Sequence, residues 1–236
     1  LNRLAKATSG LAFLGLALMA QAQSTDWPTR PVVLINPFSA GSAVDVVGRL
    51  IAQKIAANTG QGITVDNKTG ASGNIGTDFA ARAKPDGHTL VLPAMAYAVN
   101  PSLYNKVPYR FSDFTPLTIV AKGPLVLAVH PSLAARSVAE LLALARARPG
   151  AIDYGSGGNG TPSHLQGATL LALTGIDAVH VPFKNANDVV PSLIRGDLHF
   201  AFQVMSFGAP FVRTGKLRLL ATTGAVRARQ FPDAPT

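Results

Sequence analysis

Hydrophobic positions along the chain alternate between short continuous runs and helically spaced stripes. "RPVVLINPF" is a continuous apolar run bounded by prolines, the pattern of a strand buried on both faces. In "AGSAVDVVGRLIAQKIAANTG" the apolar residues Val46, Val47, Leu50, Ile51 and Ile55 recur at helical spacing. Ser42 with Asp45 three positions later makes a start like a capping box, and Gly60 supplies a stop. "ITVDN" predicts a strand, "KTGASG" a turn, "NIGTDFAARAK" a helix ended by the Pro85–Gly87 turn, and "HTLVLP" a further strand. Units of roughly thirty residues in β-α-β-α-β order predict a parallel sheet with crossover helices.

The next stretch, "NPSLYNKVPYRFSDF", reads as an irregular connection. "FTPLTIVAKGPLVLAVHP" reads as two strands broken by "KGP", where a second α/β unit begins. "SVAELLALARARPG" is an Ala/Leu-rich helix, "AIDYG" a short strand, and "SHLQGATLLALTG" a helix ending at Gly175. "DAVHVPF", "LHFAFQV" and "KLRLLATT" predict strands, with helices at "NDVVPSLIRG" and "FGAPFVRTG" between them. The second unit repeats the βα logic of the first, which predicts two similar lobes. The proline-rich "RQFPDAPT" is a poor final element for such a lobe.

Composition narrows the class. With 236 residues, 47% of them hydrophobic, the chain can bury a substantial core. Lysine and arginine exceed the acids by nine, but they are scattered without a run of five. A general attraction for anions follows, and nucleic acid does not. The absence of cysteine excludes disulfides, thiolate metal sites and a cysteine nucleophile. The N-terminus carries Arg3 and Lys6, an apolar run Leu11–Ala20, and "AQA" ending at Ala22. These are the parts of a secretory signal peptide, and the run is too short to span a bilayer. Removing residues 1–22 takes away two cations and no anion, leaving 9 − 2 = +7.

The candidate chemistry concentrates in "YGSGGNGTPSHLQG", from Tyr154 to Gly167. Gly155-x-Gly157-x-x-Gly160 matches the dinucleotide fingerprint, with Asp177 about twenty residues on. Asp177 precedes its strand instead of ending it, however, and Asp153 interrupts the strand before the glycines. Ser156 lacks the glycine two positions earlier that a nucleophile elbow needs. His88, His130, His164, His180 and His199 have no metal-ligand spacing. Thr161 suits an N-cap and Pro162 the first helical position, leaving the Ser163 and His164 N–H groups as donors at a positive helix end. Glycine amides and the side chains of Ser156, Asn159, Thr161 and Ser163 add further donors. "NPFSAGSAVD" joins strand to helix in the same way in the first unit. Together the two loops suit a clamp for an anion, and a plain βα turn stays open at each loop taken alone.

Several motifs together resemble the Bug family, the extracytoplasmic solute receptors of tripartite tricarboxylate transporters. They are "RPVVLINPFSAGSAVDVVGRLIAQKI", "VDNKTGASGNIGTDFAARAKPDGHTL", "NPSLYNKVPY", "YGSGGNGTPSHLQG", "VHVPFKN" and "GKLRLLATT…FPDAPT", in order from about Trp27 onwards. The resemblance implies an α/β fold of the type II periplasmic-binding-protein kind, two lobes closing on a ligand cleft, the first lobe incomplete. It divides the chain into a leader at 1–22, a first lobe at 23–121, a second at 122–222 and a segment at 223–236 returning to the first. It implies a periplasmic, monomeric, non-catalytic receptor with no cofactor and no metal. The partners implied are a small carboxylate and membrane transporter subunits. A ligand-presenting sensory subunit is the alternative within the family, and a dinucleotide enzyme the alternative outside it. The site residues implied are Phe38, Ser39, Ala40, Gly41, Ser42 and Asp45 in the first lobe. In the second they are Ser156, Gly157, Asn159, Gly160, Thr161, Ser163, His164, Phe183 and Gln203. The chain departs from the family pattern at Ser39, Ala40, Ser42, Ala43 and Val44, where the family is richer in proline and glycine. It departs again at Phe183 and Asn185, and at Gln203 where an aspartate is frequent. The family continues for about seventy residues beyond "PDAPT", so the first lobe is expected to expose apolar faces.

Overall fold

The computed structural model describes residues 27–236, and the expected leader at 1–22 lies outside them. The first lobe holds strands β1 (Val32–Asn36), β2 (Ile63–Asn67) and β3 (Thr89–Val91), with helices α1 (Ala43–Thr59) and α2 (Asn74–Ala81) between them. The strands form a parallel sheet in the order β2-β1-β3. Ser42 caps α1 by accepting the Asp45 N–H, and Gly60 ends it in the left-handed conformation, as the residue types predict.

Two connections differ from expectation. A helix, α3 (Ala96–Leu103), replaces part of the irregular stretch and contains Pro101. Its Tyr97 stacks on Tyr109 at 5.5 Å and meets Phe111 and Phe114 edge-on, and the Tyr109 hydroxyl donates to the Tyr97 carbonyl. Tertiary packing of aromatics outweighs the poor local propensity here. The first of the two strands expected in "FTPLTIVAKGPLVLAVHP" has no partner among the described residues, and 115–123 runs exposed. Without a ladder an apolar alternation does not make a strand.

The second lobe begins at β4 (Leu125–Val129). It continues through α4 (Val138–Ala147), β5 (Asp153–Ser156), α5 (Pro162–Thr174), β6 (Val179–Pro182) and α6 (Val189–Arg195). It ends with β7 (Phe200–Val204), α7 (Met205–Arg213) and β8 (Arg218–Thr222). The sheet order is β6-β5-β7-β4-β8. β6, β5 and β7 are parallel, while β4 lies antiparallel to both neighbours. Both faces of β4 are buried. Leu125, Leu127 and Val129 join Leu141, Ile152, Tyr154 and Phe200 in one core, and Ala128 joins Val189, Leu193 and Ala201 in the other. This explains a continuous apolar run in place of an alternating one.

Residues 223–236 were expected to return to the first lobe, but their described contacts are with the second. The Thr222 N–H donates to the Pro235 carbonyl at 2.8 Å, and the Arg213 guanidinium lies 5.8 Å from the Phe231 ring centre. β8 is an edge strand with unpaired backbone groups, and the tail supplies one acceptor.

The first lobe leaves one side of its helices in solvent, as expected for a thin three-stranded layer. Val46 is 59% exposed and Leu50 66% on α1, and Ile75 and Phe79 are exposed on α2. Leu50→Gln should therefore change unfolding free energy by less than about 0.5 kcal/mol. Leu141→Ala, at a fully buried position, should cost about 2–5 kcal/mol. Urea melts of the two variants check this contrast.

Candidate functional site

The first-lobe loop is organised around one carboxylate. Asp45 is buried and accepts from the Gly41 N–H (2.9 Å), Arg49 Nε (2.9 Å), Asn67 Nδ2 (2.8 Å) and Asn36 Nδ2 (3.2 Å). Burial pushes its carboxyl up, but the bonds from Arg49, Gly41, Asn67 and Asn36 outweigh burial and hold it well below the usual carboxylate range. Asp45, one of the expected site residues, braces its own loop here, each carboxylate oxygen accepting two of these bonds. Asn67 Nδ2 also donates to the Phe38 carbonyl at 2.9 Å, and the Phe38 N–H donates to Asn36 Oδ1 at 3.2 Å. Ser42 is buried with its hydroxyl on the Asp45 N–H. Of the expected first-lobe residues, Ala40 and Gly41 are exposed and Phe38 and Ser39 half-buried.

The second-lobe loop is braced in the same manner. The Gly157 N–H donates to Ser163 Oγ (3.3 Å), the Gly158 N–H to Ser156 Oγ (3.1 Å) and the Gly160 N–H to His164 Nδ1 (3.1 Å). The Thr161 N–H donates to the Gly158 carbonyl. The glycine amides, expected to face an anion, are thus consumed within the loop. Thr161 stands at the N-cap position but makes no side-chain cap, since its hydroxyl donates to the Gly158 carbonyl at 2.6 Å. The first main-chain bond of α5 comes from Leu165 to Thr161, and Pro162 has no N–H. The Ser163 and His164 N–H groups therefore have no described partner, at the positive end of a thirteen-residue helix.

Behind the loop lies a pair of imidazoles. Ser156 is fully buried, and its hydroxyl is 2.6 Å from His180 Nε2. His180 lies between Tyr154, stacked on it at 4.9 Å, and His164, tilted against it at 4.3 Å. Burial pushes the His164 imidazole below its ordinary value. Burial, then the neighbouring His164, pushes His180 down to about 4. Both rings are neutral at pH 7, so His164 acts here as an acceptor for the loop and not as a cation. Ser156, one of the expected site residues, is sealed from solvent and braces the loop by accepting the Gly158 N–H. α5 sits over this stack because Gly167 has no side chain: a Cβ there would overlap the Tyr154 ring. Phe183 packs on the second core, Gln203 is buried at the end of β7, and Asn159 is exposed.

The two lobes meet at this loop. A Cβ on Gly160 would lie 2.8 Å from Asn100 Oδ1 and 3.0 Å from Leu103 Cδ1, both on α3 of the first lobe. Asn187 Nδ2 donates to the Ala40 carbonyl at 2.9 Å. Ser72 faces Gly158 from the first lobe and accepts from the Tyr104 hydroxyl at 3.1 Å. Ala71 and Ser72 both have positive φ, 47° and 52°, a strain of about 1–3 kcal/mol per residue that marks a constrained loop. Ser72, Asn100 and Asn187 are absent from the sequence-based set. The glycines around "GASG" signalled a turn there, but nothing signalled that it borders the other lobe.

The dinucleotide geometry is not formed. Gly155 lies within β5 against Val189 and Leu198. Asp177 lies before β6, where its carbonyl accepts the Gly150 N–H, at the opposite end of the parallel strands from the glycine loop.

Residues 47–236 match the family described as "Tripartite tricarboxylate transporter family receptor", and the chain belongs to it. BugT of Bordetella pertussis is 34% identical over 228 residues, covering 95% of this chain and 70% of that protein. Among solved structures, Rpa4515 of R. palustris with adipate is 34% identical, with a TM-score of 0.84 over 89% of this chain and 71% of the other. MatC of Rhodopseudomonas palustris with bound malate is 27% identical, with a TM-score of 0.83 over 89% of this chain and 72% of the other. The fold is that of the periplasmic binding proteins.

The imidazole pair predicts a pH dependence. The unfolded chain takes up the His180 proton near pH 6.5, but the folded chain does so only near 4. Unfolding free energy should fall as pH drops from about 6.5 to about 4, because the unfolded state binds more protons in that window. Urea melts at pH 7, 5.5 and 4.5 check this, and His180→Asn should flatten the decline.

Proposed function

We propose that the protein is a receptor of the periplasm that captures a small organic carboxylate between its lobes and delivers it to a tripartite tricarboxylate transporter. In this reading residues 23–121 and 122–222 form the two lobes, and the leader at 1–22 directs export. No chemistry is performed on the ligand. The observation that carries the proposal is the uncapped start of α5. Thr161 turns its hydroxyl back to the Gly158 carbonyl, so two main-chain donors stay free beside the lobe junction. A helix start of this kind holds an anion without a charged side chain. The surrounding loop is braced, because Ser156, Ser163 and His164 accept its glycine amides. Adipate and malate, found in relatives of the same fold, support a small carboxylate as the ligand. Family membership and a net positive chain agree with it.

A proline substitution tests the main-chain donor. Ser163→Pro removes the N–H at a helix position that tolerates proline, while Ser163→Ala removes only the hydroxyl. With adipate and malate as titrants in calorimetry, the proline variant should lose at least about tenfold in affinity and the alanine variant about threefold. Equal affinities for wild type and the proline variant would contradict a role for this amide.

A further inference from the structure

The contact between Asn187 and Ala40 joins residues 147 positions apart and bridges the two lobes. Its geometry is built locally on both sides. In the second lobe Asn185 precedes a 3-10 turn, Ala186–Asp188, and its Oδ1 accepts the Asn187 N–H at 3.1 Å. The Asp188 N–H donates to the Asn185 carbonyl at 3.1 Å. Ala186 packs against the glycine loop so closely that a Cβ on Gly157 would lie 2.7 Å from its own. The position of Asn187 is therefore tied to the loop that opens α5. In the first lobe the acceptor carbonyl belongs to Ala40, directly before Gly41, whose φ of 76° turns the chain into the Ser42 cap of α1. A Cβ on Gly41 would lie 3.4 Å from Asn187 Nδ2. One carboxamide thus links the approaches to both helix starts.

We propose that Asn187 is a positioning residue that latches the lobes together, its amide N–H to the Ala40 carbonyl setting how long a bound acid is retained. The proposal rests on the two-lobe receptor reading. The Asn185 side chain supplies the brace that aims Asn187. The latch gives little to the approach of a ligand, because it forms only as the lobes meet. Its loss should therefore appear in the dissociation rate, by about fivefold, the weight of one net hydrogen bond.

The chain has no cysteine, so two labels can be placed cleanly. Lys54→Cys on α1 and Leu173→Cys on α5 are both exposed sites, one on each lobe. Spin labels there report the separation of the lobes, and stopped-flow mixing with adipate and malate reports association and dissociation. Asn187→Asp keeps the shape of the side chain but cannot donate to the Ala40 carbonyl, and Asn187→Ala removes the side chain. Both variants should lengthen the distance between labels and raise the dissociation rate with the association rate unchanged. A circular-dichroism melt verifies that each variant is folded. Distances and dissociation rates equal to wild type in the folded Asn187→Asp protein would overturn the latch. If wild type takes up neither acid, the carboxylate reading fails, and the label distances still decide the latch separately.

Discussion

The amides of the glycine loop are spent on the loop itself, and the rest of the site depends on that economy. Ser156 Oγ, Ser163 Oγ and His164 Nδ1 each accept one glycine N–H. A glycine-rich turn that would otherwise be mobile becomes a fixed shape, and the main-chain donors without a described partner are those of Asn159 and of Ser163 and His164 at the start of α5. His164 can accept only while neutral, and burial against His180 keeps it so. In the proposed reading the anion meets backbone dipoles and not a positive side chain. Such donors keep their orientation when a ligand enters, which reduces the ordering cost of binding.

The scaffold makes this possible by aligning strand ends. β5, β6 and β7 run parallel, so the loops that follow β5 and β6 emerge from the same edge of the sheet. Tyr154 and Phe200 stack at 5.3 Å beneath them and fix the height of α5 through Gly167. In the first lobe Asp45 plays the part that Ser156 and His164 play in the second. It collects Gly41, Asn36, Asn67 and Arg49 around one carboxylate and holds the turn before α1. Each lobe thus presents a helix start on a braced turn, and Asn187, Asn100 and Ser72 lie where the lobes touch.

Much of this frame was legible in the sequence. The strand–loop–helix order, the Ser42 cap, the Gly60 and Gly175 stops and the Thr161–Pro162 helix start all follow from local residue chemistry. Family resemblance pointed to the two loops. Hydroxyl directions were not legible. Thr161 has the right type and place for a cap, yet its bond runs to Gly158, a choice made by the positive φ of the glycines around it. Asp45 and Ser156 are polar residues in the expected loops, and their burial and hydrogen bonds, which brace those loops, were not legible. Helix α3 was hidden because aromatic packing, invisible to periodicity, holds Tyr97 in place. Cross-lobe contacts such as Asn187 to Ala40 leave no local pattern at all.

The central claim is that an acid is held by the two free amides at the start of α5 while the glycine amides stay bonded within their loop. Amide proton chemical shifts, followed during titration with adipate and malate, test it most directly. Large downfield shifts are expected for Ser163 and His164, with Gly157, Gly158 and Gly160 moving little. Large shifts in those glycine amides with Ser163 and His164 unmoved, or no shift with either acid, would contradict it.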